Sequence, residues 1–151
     1  MPQNQQSQQQ SGFTLVELIM VIVIMGALSA LAVSKFNRNT FDVAAASSEL
    51  IQAIRYTQNK SMSHSGADNY QIAINGTGYT VTQNGIAITH PLTGTAGYTK
   101  TWPDITVDTT ATLVFNAYGL PLGLSVPLTI TLSKGSDSNS ITVENVTGFV
   151  Q

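Results

Sequence analysis

The chain has 151 residues, of which 42% are hydrophobic and only 9% charged, enough for one modest core and too little for two ordinary domains. Six Lys and Arg against eight Asp and Glu give a net charge of −2 with no basic run, which argues against phosphate neutralisation and so against a nucleic-acid partner. The absence of cysteine excludes disulfides, thiolate metal sites and cysteine nucleophiles, and the shortage of charge beside abundant Ser, Thr, Asn, Gln and Gly suits an extracytoplasmic β-rich surface.

Residues 1–12 are rich in Gln, with two Ser, one Asn and no apolar residue after Pro2, so they bury nothing that would offset the entropy of ordering. They read as a leader. Phe13 opens an apolar run of 21 residues to Val33 with Glu17 as its only charge, long enough to cross a bilayer as a helix. Beyond it no Pro or Gly appears between Gly26 and Gly66, and Val43, Leu50, Ile54 and Thr57 or Gln58 recur at helical spacing. The pattern predicts one helix from about Phe13 to about Met62, its first half (13–35) in lipid and its second half on a soluble domain of residues 36–151, with Gly66 ending it.

After Gly66 the period becomes two. Tyr70, Ile72 and Ile74, then Tyr79 and Val81, then Ile86 and Ile88 alternate with polar neighbours, and Asn75-Gly76 and Asn84-Gly85 are hairpin signals. A short strand near Tyr98–Trp102 lies within a Pro- and Gly-bearing loop over 90–104. Further strands fall at 112–116, 128–133 and 141–146, the last two joined by a polar turn over 134–140. The expectation is an α+β protein: a long N-terminal helix packed on an antiparallel sheet or small sandwich of six to eight short strands.

A removable secretory signal explains the apolar run, with Ala30-Leu31-Ala32 as a small-x-small cleavage site, and so does a plain membrane anchor. Neither has a use for Glu17, since a carboxylate within a membrane costs about 2.5 to 3.5 kcal/mol. Gly12-Phe13-Thr14-Leu15-Val16-Glu17-Leu18-Ile19 resembles the signature of the type IV pilin and type II secretion pseudopilin superfamily. The resemblance implies a prepilin peptidase that cuts between Gly12 and Phe13 and methylates the new amine of Phe13, leaving the apolar segment attached. It also implies that Glu17 is an assembly residue, meeting the N-terminal amine of a neighbouring subunit.

Major pilins of the superfamily commonly carry a disulfide loop and major pseudopilins a calcium site, and neither is legible here. The passage 47–58, the element Phe115-Asn116-Ala117-Tyr118-Gly119 and the closing Thr147-Gly148 resemble the minor, GspH/FimT-like branch. Within it, Phe41-Asp42, Arg55-Tyr56 and Gln58 look most like the minor pilin of a mannose-sensitive haemagglutinin type pilus. The implied partners are the peptidase, other major and minor pilins or pseudopilins, an inner-membrane assembly platform and membrane lipid, with the C-terminal domain in the periplasm. Lys35 and Arg38 beyond the span, and a leader without basic residues, would by a positive-inside count point that domain to the cytoplasm instead. The motif, however, is processed only in the periplasmic orientation.

The remaining chemistry is sparse. His64 and His90 read as loop histidines rather than a metal pair, and Asp104 and Asp108 as turn residues bounding a strand rather than catalytic carboxylates. No G-x-S-x-G, P-loop or H-E-x-x-H occurs, so neither an enzyme nor a cofactor is expected. Trp102 and Tyr98 read as packing between helix and sheet, or alternatively as an exposed contact for a partner. The rival functions are a pilus-associated binding module (an adhesin or DNA receptor) and a secreted soluble β protein. Phe149 after the closing Thr-Gly, where DNA-binding relatives carry a basic residue, argues against the DNA receptor.

Overall fold

The computed structural model describes residues 13–34, 38–64 and 69–151, with backbone alone at 31–34. Two compact units divide the chain at Asn37 and Arg38, each built by its own contacts. The first contributes helix α1, Leu15–Ser34. The second holds helix α2, Arg38–Ser63, and eight strands. The leader, the join at 35–37 and Gly66, on which the expectations of a cleaved peptide, of one continuous helix and of its stop fell, lie outside the described residues.

In α2 the buried positions Val43, Ala46, Ser47, Leu50, Ala53, Ile54, Thr57 and Ser61 recur every three or four residues, so one stripe faces inward. Three of these are hydroxyl residues. Ser47, Thr57 and Ser61 each donate to the carbonyl four residues back (Val43, Ala53 and Thr57), at 2.8, 2.8 and 3.1 Å, and so enter the core with no partner from the sheets.

One sheet joins β1 (Tyr70–Asn75), β2 (Gly78–Gln83), β3 (Ile86–Ala87), β4 (Tyr98–Thr101) and β6 (Ala111–Val114). Its order is β3-β2-β1-β6, and β4 lies on β2 beyond β3. The second, β5-β7-β8, joins Thr106–Val107, Leu128–Lys134 and Asp137–Val143. All pairings are antiparallel. Both sheets pack on α2, and Leu50, Ile54, Ile72, Ile74, Val81, Leu113, Ile130, Leu132, Ile141 and Val143 form one core, each side chain at 1% exposure or less. Burying each such Leu or Ile is worth about 1.5–3 kcal/mol.

Three local expectations need correction. In the first hairpin Asn75 pairs with Gly78, so the two-residue loop is Gly76-Thr77, and Asn75 Oδ1 instead accepts the Thr77 amide at 3.0 Å. The positive-φ turn is the second, with Asn84 at 53° and Gly85 at 80°. The polar stretch 134–140 is mostly strand: β8 starts at Asp137 and the turn is Gly135-Ser136 alone, because the ladder runs on past the core through side chains that face solvent. The closing segment is not one strand. The chain leaves β8 at Val143, turns at Gly148 (φ 68°) and returns beside it, with Thr142 and Gln151 exchanging both backbone bonds at 2.9 and 3.1 Å.

Candidate functional site

Phe13, the first described residue, is 88% exposed; Gly12, the other half of the expected cleavage junction, lies outside the described residues. Thr14 and Glu17 form a capping box. The Glu17 amide donates to Thr14 Oγ1 at 3.2 Å and the Thr14 amide to Glu17 Oε2 at 3.5 Å, so two donors that a helix start leaves orphaned are met. Glu17 therefore has a partner in its own chain. The second contact is long, and Oε1 keeps its full accepting capacity for a cation from outside.

Every side chain from Phe13 to Ala30 is exposed, and nearly all are apolar. Ser29 satisfies its hydroxyl on the Met25 carbonyl at 2.7 Å, which leaves that part of the helix without an unmet polar group. At about 1.5 Å per residue the 20 residues of α1 span roughly 30 Å. Residues 31–34 of α1 are described by backbone alone, and among the described residues no helix is long and apolar enough to cross a membrane.

In the globular unit, three segments that the sequence presents separately meet around Gln58. Its Nε2 donates to the carbonyls of Gly119 at 2.8 Å and Thr147 at 3.2 Å. One turn earlier on α2, Arg55 Nη2 donates to the Val150 carbonyl at 2.9 Å. The Phe115–Pro121 loop is closed by Asn116, whose Oδ1 accepts the amides of Tyr118 and Leu120 at 2.9 and 3.0 Å, while Phe115 is buried and bridged to Pro121. A Cβ on Gly148 would stand 2.6 Å from the Gly119 oxygen and 2.7 Å from Gln58 Nε2. Glycine is thus required twice over there, by φ and by space. The Phe-x-x-x-Gly and Thr-Gly elements and the α2 passage form one clasp that fixes the C-terminus to the helix.

The other singled-out residues are dispersed. His64 lies against the Tyr70 ring, centroids 5.1 Å apart, and His90 against Tyr98 at 4.4 Å, with His90 Nδ1 facing the amides of Leu92 and Thr93. Asp104 faces Lys134 at 3.6 Å. Asp108 instead accepts the Thr131 amide at 2.8 Å and the Thr109 hydroxyl at 2.7 Å, and these bonds hold its carboxyl below the usual range. Among the described residues no three His, Asp or Glu side chains converge on a metal position. Trp102 and Tyr98 are buried, in an aromatic cluster with Tyr79 and Tyr56, and Trp102 Nε1 donates to Glu49 Oε2 at 3.2 Å. They are packing residues, not an exposed aromatic contact.

Residues 7–33 match the family of the prokaryotic N-terminal methylation motif. The fold is similar to that of the type IV minor pilin FimU of Pseudomonas aeruginosa, with a TM-score of 0.51 and 13% identity over 73% of this chain and 87% of that one. Sequence comparison with curated proteins gives no match. The chain thus combines a match to the prokaryotic N-terminal methylation motif with an α+β fold similar to that of a minor pilin.

Proposed function

We propose that the chain is a minor subunit, structural rather than enzymatic, of a type IV pilus of the haemagglutinin kind or of a type II secretion pseudopilus. A prepilin peptidase cleaves between Gly12 and Phe13 and methylates Phe13. The apolar helix then holds the subunit in the inner membrane, its globular unit in the periplasm, until the assembly platform transfers it to a filament of other pilins. The observation that carries this reading is the bare apolar helix: its described side chains are all exposed, while the globular unit completes its own core without it. Such a surface must be covered by lipid or by other helices, and one surface serves for both storage and assembly.

Glu17 supplies the selectivity. Its capping box with Thr14 reduces the cost of a carboxylate at the membrane, and its free oxygen receives the amine of a neighbouring Phe13. A ligand-binding role at a pilus tip would need an exposed aromatic or basic patch, and burial of Trp102 and Tyr98 removes the aromatic one that the sequence offered.

The test is Glu17→Leu in cells that make the filament. The variant should insert and be cleaved like the wild type yet be missing from sheared filaments. Wild-type amounts of the variant in those filaments would refute the assembly role.

A further inference from the structure

A groove of about 280 Å³ lies between one face of α2 and the connection that follows β4, and the reading above makes no use of it. Ala45 and Ala46 on the helix face Trp102 and Pro103 across it, and the small helix side chains are what leave the space. Asp42 and Glu49, two helical turns apart on the same face of α2, mark its ends.

The two ends differ electrostatically. At one, Glu49 is fully engaged: Oε1 pairs with Lys100 at 3.2 Å and Oε2 accepts the Trp102 indole N–H. At the other, a single ammonium, Lys134, holds two carboxylates side by side, Asp42 at 2.7 Å and Asp104 at 3.6 Å. The lysine side chain is 22% exposed, against 49% for Asp42 and 73% for Asp104, so the carboxylates stand outermost. Both contacts use Oδ2, which leaves the two Oδ1 atoms open and this end with one net negative charge.

We propose that this groove binds a guanidinium on an alkyl stem, the arginine side chain of a neighbouring filament subunit. The stem lies between the alanines and the Trp102–Pro103 wall, and the planar fork spans the open oxygens of Asp42 and Asp104. Arginine fits better than lysine because its rigid fork reaches two carboxylates at once and its weakly hydrated charge tolerates an indole wall. An anionic side chain would meet the outward carboxylates, and a purely apolar one would leave them uncompensated. Only the source of the arginine rests on the filament reading; the chemistry of the site does not.

Trp102 is the single tryptophan of the chain, so its emission in the full-length, detergent-extracted protein reports occupancy without a label. Titration with Nα-acetylarginine amide should give a saturable change. Nα-acetylnorleucine amide, which keeps the stem and drops the charge, should give none. The double variant Asp42→Asn/Asp104→Asn should weaken the arginine response about tenfold. Asp104→Asn alone, at an exposed position whose change does not threaten the fold, should weaken it by about threefold. An absent or unsaturable arginine response, an equal response to norleucine, or undiminished binding by Asp104→Asn would overturn the site. A saturable, Asp104-dependent response in a chain that never enters filaments would uphold the site and overturn a neighbouring subunit as its source.

Discussion

Replacing Gly148 by Ala tests the C-terminal clasp most sharply, because the structure separates two costs. The first is conformational: Gly148 sits at φ 68°, where an L side chain costs about 1 kcal/mol. The second is steric, since the new Cβ would lie 2.6 Å from the Gly119 oxygen and 2.7 Å from Gln58 Nε2, and the backbone oxygen cannot swing aside as a side-chain end can. The Gln58 amide must then withdraw and forfeit its bonds to Gly119 and Thr147, each worth about 1 kcal/mol. Together these come to about 3 kcal/mol, to which the contact with the immobile Gly119 oxygen adds. Gly85→Ala is the control, with φ 80° but no atom within 4 Å of its Cβ, and should cost the conformational part alone, about 1 kcal/mol. Urea unfolding followed by Trp102 emission measures both. A cycle of Gly148→Ala with Gln58→Ala should show coupling of about 1 kcal/mol or more, since the second change removes the side chain that the first displaces. Equal costs for the two glycines to within about 0.5 kcal/mol, or strict additivity in the cycle, would refute the clasp.

Three further outcomes are expected. Ile54→Ala, at a fully buried position on α2 facing both sheets, should destabilise the globular unit by about 2–5 kcal/mol in the same urea titration. Asp108 has its carboxyl lowered in the folded state, so its contribution is present above the ordinary carboxylate pKa and is lost as pH falls through the folded value. Asp108→Asn should accordingly flatten the fall in stability below about pH 4, read from thermal unfolding at stepped pH. Residues 38–151 carry five Lys and Arg against seven Asp and Glu, and a mobility-shift titration of the chain with duplex DNA at physiological salt should show no binding; a micromolar complex that dissolves with added salt would revive the DNA-receptor role.

The sequence was most readable where one local signal decides the outcome. The stripe through Val43, Leu50, Ile54 and Thr57 placed the inward face of α2, and alternation at Tyr70–Ile74 placed β1, because period alone fixes which side chains can share a core. Thr14-x-x-Glu17 is equally legible as a capping box, since its spacing alone lets each side chain reach the other residue's amide. The β7–β8 hairpin extends beyond what the sequence marks, because its strand residues past the core, from Asp137 to Ser140, have no buried face. The clasp could not be read at all: Gln58 meets carbonyls 61 and 89 residues away, and no local pattern states which loops a side chain will reach. The groove at Trp102 was missed for the same reason, since its walls come from α2, the β4–β5 connection and the end of β7.

The central claim is that the apolar helix is retained and begins at Phe13, and the mass of the mature protein tests it most directly. Intact-mass measurement on chain extracted from membranes should find residues 1–12 removed and one methyl group on the Phe13 amine. A mature chain beginning at Val33, cut after Ala30-Leu31-Ala32, would mean that the helix is a discarded secretion signal and would contradict the account.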